Sequence, residues 1–262
     1  MVRGFTIKKL ALVGSGIKSI SHFTTEFKTY TTSADKVLYL VNEPITKQWI
    51  ERYSKLSESL DPIYFSENDR QSSYDKIRDK ILTELETYNF ITVVLYGHPT
   101  IFADPGLQAI IAAQKNSIET IILPGISIEN CLYADLKVDP GQFGCFHLEA
   151  TELLLYDKII DPTAHLCIWQ PGMIGNRSVP QPKQKSKHLK LLKIKLKKYY
   201  PDNHISILYE ASMYPGVEPR IHKFPLYDIE DQTIGTLSTL YIPPLPQRKP
   251  DLDILNQITS EG

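Results

Sequence analysis

The chain has 262 residues, enough for one large or two modest domains whose core needs no disulfide or metal staple. Hydrophobic residues at 42%, charged residues at 23%, 13 glycines and 18 prolines exclude disorder, collagen and coiled coil as whole-chain descriptions. The 29 basic and 30 acidic side chains leave a formal charge of -1, so no global field draws the chain to nucleic acid or to an anionic membrane.

In chain order, four short apolar, mostly β-branched runs come first, at residues 9–13, 36–41, 91–96 and 119–123. They alternate with helical patterns near 18–30, 45–57, 72–88 and 106–114, which is the βαβ pattern of a buried parallel sheet. The runs close on Gly14-Ser15-Gly16, Asn42-Glu43-Pro44, Gly97-His98-Pro99 and Pro124-Gly125. In open α/β sheets ligands collect outside the carboxyl ends of strands, so these turns are the first places to look for a site. A short helix over 127–136 and the turn-rich Asp139-Pro140-Gly141-Gln142-Phe143-Gly144 follow. Strands are then expected at 145–149, 165–170, 205–210, 220–226 and 237–242, with a long helix between the second and third, and a short terminal helix near 252–258. The division expected is an N-terminal α/β domain over 1–126, a mixed α/β domain over 127–246 and a tail over 247–262.

Residues 183–198 hold eight of the 29 basic groups, all lysine, leaving 21 basic against 30 acidic groups elsewhere. Leu189, Leu192, Leu196 and Tyr199 form one apolar stripe there, which reads first as a surface helix covering the sheet, and otherwise as a membrane-surface or nucleic-acid-binding helix or a docking face for an acidic partner. The three cysteines, Cys131, Cys145 and Cys167, are odd in number, widely spaced and without a CxxC. They encode neither a disulfide framework nor a zinc knuckle; no metal site is expected, and a reducing compartment is the natural reading. Arg3, Lys8 and Lys9 precede an apolar run too short for a secretion signal, and no segment approaches the roughly 20 apolar residues of a membrane helix. The expectation is a cytoplasmic protein. Tyrosine outnumbers phenylalanine, 15 to 9, so many rings carry a hydroxyl that must be satisfied or used.

The turn Val13-Gly14-Ser15-Gly16-Ile17 is read as closing a strand and opening a helix, its glycines letting backbone approach a nucleotide-like ligand. As a dinucleotide motif it is incomplete: Ser19 stands where a third glycine belongs, although Glu43 could still serve as a ribose-binding acid. His98 alone reads as a hydrogen-bonded structural residue before it reads as a catalyst. GxxxxGK[ST], GxSxG and HExxH are absent, which removes the motif basis for an NTPase, an α/β-hydrolase or a zincin.

With Tyr96-Gly97-His98-Pro99, Ile101-Phe102 and Leu123-Pro124-Gly125-Ile126-Ser127, this turn resembles the tetrapyrrole methylase superfamily, whose members bind S-adenosylmethionine between two α/β domains. The fold that the resemblance implies is therefore α/β, tetrapyrrole methylase-like, with the cofactor cleft between the two domains. Within the superfamily the chain is similar to the borosin peptide α-N-methyltransferases. That likeness rests on Leu123 to Leu136, Val138-Asp139-Pro140, Glu149-Ala150-Thr151, Ile168-Trp169-Gln170 and Leu237 to Pro244, and runs from about residue 9 to 244.

The resemblance implies S-adenosylmethionine-dependent methylation of backbone amides, yielding S-adenosylhomocysteine. It implies a catalytic set of Tyr64, Arg70, Tyr74 and Tyr96, and a cofactor set of Gly14, Ser15, Gly16, Tyr96, His98, Ile101, Phe102, Ser127, Gln170, Tyr209, Ala211 and Thr239. A peptide amide is a very weak acid, so its nitrogen needs help to become a nucleophile. A phenol biased toward phenolate by a guanidinium can take the proton, and the guanidinium can steady charge on the amide oxygen. Tyr74 is assigned as base, Tyr64 as relay or oxyanion donor and Tyr96 as the group orienting the amide. The sequence ends without a substrate-like tail, so the resemblance is to the split, bacterial type acting on a separately encoded precursor peptide as a homodimer in a 2:2 complex. A methyltransferase acting on a corrin-type ring, and a binding protein keeping the fold, are the alternatives.

Overall fold

The computed structural model describes residues 8–41, 43–176, 178, 186–246 and 249–260; Arg3, Asn42, Lys183, Lys185 and the tail residues 247–248 and 261–262 lie outside the described residues. The chain packs as two units. One comprises the described residues of Met1–Val138, Asn176–Pro182 and Ala211–Pro219, and the other those of Asp139–Gly175, Lys183–Glu210 and Arg220–Gly262. The boundary thus lies at 138/139 rather than at the expected 126/127, and two later segments return to the first unit.

In the first unit β1 (Lys9–Gly14), β2 (Lys36–Leu40), β3 (Ser57–Ser59), β4 (Phe90–Leu95) and β5 (Glu119–Leu123) form a parallel sheet in the order β3-β2-β4-β1-β5. Apart from β3, its strands are near-continuous apolar runs because both faces are covered. Leu10, Leu12, Leu38, Ile91, Val93 and Leu95 pack with Ile77, Ile81 and Leu85 of α4 (Arg70–Thr87) and Ala109, Ile110 and Ala113 of α5 (Asp104–Lys115). Alternation sends Ala11, Val13, Val37, Tyr39 and Val94 to the other face, against Phe27 of α1 (Thr25–Ser33) and Ile50 of α2 (Pro44–Tyr53). The helices α3 (Asp61–Tyr64) and α6 (Ile128–Leu136) complete the unit.

Two expectations need correction. The turn after β1 does not open a helix: α1 starts only at Thr25, where the Thr24 hydroxyl accepts the Phe27 N–H at 2.9 Å. Before it the His22 imidazole accepts the N–H groups of Ile17 and Lys18 at 3.2 and 3.0 Å, and Ile20 has φ +60°, which no helix tolerates. The helix expected over 45–57 ends at Tyr53, and Ser57–Ser59 instead extends the sheet by pairing with Val37, Leu38 and Tyr39.

The second unit contains α7 (Pro140–Phe143), β6 (Cys145–Glu149), α8 (Ala150–Leu155), β7 (His165–Trp169), α9 (Ser186–Leu196), β8 (Ile205–Glu210), β9 (Arg220–Pro225), β10 (Thr239–Ile242) and α10 (Leu252–Thr259). The sheet order is β6-β7-β10-β8-β9, parallel only between β6 and β7. Leu166, Ile168, Leu208, Leu240 and Ile242 face Ala150 and Leu153 of α8 and Leu189, Leu192 and Leu196 of α9. The lysine-bearing helix therefore covers the sheet. Its Lys193 and Lys195, with Lys197 just beyond it, meet Glu230, Asp157 and Asp202 at 3.0, 3.6 and 2.9 Å, which answers much of its charge locally. Among the described residues no helix is long and apolar enough to cross a membrane.

Candidate active site

Helix α4 starts at Arg70 because Asp69 caps it, its carboxylate accepting the N–H and hydroxyl of Ser72 at 2.9 and 3.1 Å. Arg70 is thus the first helical residue, and Tyr74 lies one turn on, on the same face. Tyr64 ends α3, and the Ser73 hydroxyl donates to its carbonyl at 2.9 Å. The result is a pair of stacked phenols, Tyr64 and Tyr74, with ring centroids 6.3 Å apart and planes 23° apart. One Arg70 Nη2 donates to the Asn176 carbonyl at 3.4 Å, while its Nε is buried with no hydrogen-bond partner. A buried, unsatisfied guanidinium N–H costs free energy unless something accepts from it. Asn176 is 106 residues away in sequence and no local pattern announces it.

Tyr74 is pushed up to about 12, by burial first and by Tyr64 next, with Arg70 pulling the other way and losing. The expected bias toward phenolate is therefore reversed: at neutral pH the ring is a phenol. Tyr96 follows β4 and belongs to a different neighbourhood. It packs with the cluster of Phe23, Phe27 and Ile50, whereas Tyr64 packs with the cluster of α4 and α5. Its phenol is also pushed up to about 12, by burial, then Cys131 and Glu43. The first unit brings together Tyr64, Arg70 and Tyr74, and puts Tyr96 with the cluster on the sheet's other face.

At the carboxyl edge of the parallel sheet, Gly14, Ser15 and Gly16 meet Tyr96-Gly97-His98. Gly16 and Gly97 exchange backbone hydrogen bonds of 3.1 Å each way, and the Ser15 N–H donates to the Leu95 carbonyl at 2.9 Å. A Cβ on Gly14 would stand 2.3 Å from the Gly97 carbonyl oxygen, and one on Gly125 2.5 Å from the same atom. Both glycines let these loops pack backbone against backbone. Gly97 differs: its φ is +70° and a Cβ there would meet only Ile17, at 3.3 Å. His98 Nδ1 sits 3.3 and 2.9 Å from the N–H and hydroxyl of Thr100, a local turn. Ile101 is partly buried, Phe102 is half exposed with φ +52°, and Ser127 is buried, its N–H and hydroxyl both donating to Asn130 at 2.9 Å. Ala211 returns to this unit in the segment whose Met213 carbonyl accepts the Ser19 N–H at 2.9 Å.

Glu43 cannot act as the ribose-binding acid. Its carboxylate caps α2, accepting from the Ile45 N–H at 2.8 Å and from the Thr46 N–H and hydroxyl at 2.7 and 2.9 Å, and it is 1% exposed.

In the second unit, register makes Thr239 the partner of both Trp169 and Tyr209, and Gln170 follows Trp169 directly. Tyr209 and Thr239 are buried, and Gln170 is held at φ +54°. These three expected residues therefore gather at one end of the mixed sheet. On β6 and β7 of the same sheet lies a set that sequence reading missed: ligand atoms of Cys145, His147 and Cys167 all lie within 4.8 Å of one another. The cysteines are widely spaced in sequence, and the β6–β7 register is what brings two of them together with a histidine. The usable signal was Cys145-x-His147, two residues that strand alternation puts on one face.

Two α/β units, one built on a parallel sheet with glycine turns at its carboxyl edge and one on a mixed sheet, define the class. Residues 9–216 match the tetrapyrrole (corrin/porphyrin) methylases, and the chain belongs to that family. The chain is 32% identical over 243 residues to a protein of Coprinopsis marcescibilis described as a methyltransferase/ribosomally synthesized type I borosin cyclic peptide precursor, covering 90% of this chain and 62% of that protein. A methyltransferase/ribosomally synthesized cyclic peptide gymnopeptides precursor of Gymnopus fusipes is 32% identical over 253 residues, covering 95% and 60%. The chain thus spans about three-fifths of the length of these relatives. Both are fungal and their names join methyltransferase to precursor, so the split, bacterial arrangement finds no support in them. The structure is similar to uroporphyrin-III-C-methyltransferase of Thermus thermophilus, with TM-score 0.65 and 15% identity, covering 90% of this chain and 92% of that one. A structure of that enzyme complexed with S-adenyl homocysteine gives 0.62 and 14%, with the same coverage.

Proposed function

We propose that the chain uses S-adenosylmethionine to methylate backbone amide nitrogens of a precursor peptide. The observation that carries this reading is the Arg70 guanidinium, its Nε buried without a partner, beside the stacked Tyr64 and Tyr74. A ring-methylating enzyme has no evident use for such a trio, whereas a peptide amide needs an acceptor for its proton and a donor for its oxygen. The relatives' names, joining methyltransferase to cyclic peptide precursor, support the same reading.

The residues fit S-adenosylmethionine. The turns closing β1, β4 and β5 lie at the carboxyl edge of the sheet, where α/β folds bind nucleotides. Phe102 and Gln170 hold φ of +52° and +54° without being glycine, strain that clusters at ligand clamps. In the first unit Gly14, Ser15, Gly16, Tyr96, His98, Ile101, Phe102, Ser127 and Ala211 would hold the cofactor, which when bound supplies an electrophilic methyl on a sulfonium.

The chain's own residues would do the rest. The Arg70 Nε–H donates to the amide carbonyl oxygen and steadies the charge that grows there as the N–H proton leaves. The proton goes to Tyr74 in its phenolate form, a minor species at neutral pH that Arg70 favours and burial opposes. Tyr64, stacked on that ring, relays the proton outward, and Tyr96 as a neutral phenol orients the amide. The nitrogen gains the methyl as it loses the proton, so one N–H is exchanged for one N–CH3 and one proton is released.

The reading extends to a peptide supplied as a separate chain and to a homodimer binding two of them. Incubation with S-adenosylmethionine and a candidate peptide, followed by fragment mass spectrometry, tests it. Successive gains of one methylene mass on backbone nitrogens are expected; methylation of a corrin-type ring instead, or of neither, would overturn it. Light scattering with and without peptide tests the 2:2 assembly.

A further inference from the structure

Strands β6 and β7 pair in parallel with Cys145 opposite His165 and His147 opposite Cys167. Alternation puts Cys145, His147, Cys167 and Trp169 on the face turned away from Leu166 and Ile168, which enter the unit's core. The two Sγ atoms stand 3.8 Å apart. A disulfide would need about 2.05 Å. Two thiolates each about 2.3 Å from one tetrahedral ion stand about 3.8 Å apart. The third donor, the His147 imidazole, is held against Trp169, with centroids 5.5 Å apart and planes 13° apart, so its direction is set before any ion arrives.

We propose that Cys145, Cys167 and His147 form a binding site for one zinc ion, coordinated by two thiolates and one imidazole, with its fourth position open to water. Two sulfurs and one nitrogen are the donor set that favours zinc over the hard cations. Two thiolates neutralise the doubly charged ion, which suits a site whose Cys167 is wholly buried. His147 is exposed and marks the entry side. Around the sulfurs lies the buried Tyr241, the register partner of Cys167, whose hydroxyl is 2.5 Å from His165 Nδ1. Binding releases both thiol protons to solvent, so affinity rises with pH. The ion would clip the edge strand β6 to β7, two residues along β7 from the pairing of Trp169 with Thr239.

The test uses the full chain, reduced and freed of metal with a chelator. Titration with cobalt(II) is expected to give thiolate-to-metal charge-transfer bands and tetrahedral d–d bands that saturate at one ion per chain and bleach on adding zinc. Zinc alone should raise the melting temperature. The double variant Cys145→Ser/Cys167→Ser should lose the charge-transfer bands and Cys131→Ser should keep them. If the double variant does not fold, alkylation of the parent chain decides: zinc should slow modification of Cys145 and Cys167 by at least about tenfold while the ion is bound. A folded chain without charge-transfer bands, bands that survive the double variant, or no zinc protection of the two thiols would overturn the site.

Discussion

The Tyr64 and Tyr74 rings stack at 6.3 Å, and Arg70, one helical turn before Tyr74, fails to hold that ring below its ordinary value. Burial prevails, so the base that the reaction needs exists only as a small fraction at neutral pH. The rate of peptide methylation should therefore climb about tenfold per pH unit across the neutral and mildly alkaline range, because the reactive phenolate grows that way while pH stays below about 12. Tyr74→Phe should lower the rate and flatten the profile. Initial rates with a saturating peptide check both; a flat profile in the parent enzyme would remove Tyr74 as the base.

Arg70 serves through its geometry as much as its charge. Arg70→Lys keeps a cation but loses the planar Nε–H that lies buried without a partner. Loss of one donor to a developing oxyanion costs about 10²–10³ in kcat, and KM should change far less. The fold should survive, since Arg70 sits on the first turn of α4 and is only partly buried. Circular dichroism and steady-state kinetics on the same preparation separate the two effects.

Strand periodicity and turn chemistry marked the four longer strands of the parallel sheet to within a residue at each end, because runs buried on both faces have little else to be. The leucines at 189, 192 and 196 declared the covered face of α9 in the same way. Ser57–Ser59 was illegible: three polar residues become a strand only because the edge of β2 offers them hydrogen bonds. Residues 18–24 were misread as helix because their amphipathic spacing says nothing of a histidine ring bonding two local N–H groups. In the site, Tyr64, Arg70 and Tyr74 were reached through family resemblance rather than spacing. Strand alternation alone would have assigned Tyr96 to the face of Thr92 and Val94, away from Ile91, Val93 and Leu95. Cys167 could join Cys145 and His147 only through the β6–β7 register, which no local pattern encodes.

Glu43 predicts an acid-sensitive helix start. Burial alone would raise its carboxyl, but hydrogen bonds from Ile45 and Thr46 bring it below the ordinary 4.5. A carboxyl lowered by folding contributes stability that is present above its unfolded value and is lost as pH falls through the folded one. Glu43→Ala should cost about 1–2 kcal/mol near neutrality, the loss of an N-cap, and the difference from the parent should shrink below pH 4.5. Urea denaturation at several pH values measures it; a difference that persisted unchanged in acid would exclude the ionised cap.

The glycines at the carboxyl edge predict an order of damage. Gly14→Ala would drive a Cβ to 2.3 Å from the Gly97 carbonyl oxygen, and both partners are backbone, so the two loops must part. Overpacking of this kind costs about 3 kcal/mol. At Gly97 the obstacle is conformational: φ is +70° and only the Ile17 side chain lies near, so Gly97→Ala should cost about 1–2 kcal/mol. Gly141 is a control, because its new Cβ would meet the Asp139 carboxylate at 3.1 Å, a side chain free to turn, and the change should stay within about 0.5 kcal/mol. Urea midpoints of the three variants give the ranking. If Gly14→Ala proved no worse than Gly141→Ala, the turns closing β1 and β4 would be able to separate, and the glycine there would have to be explained by a ligand after all.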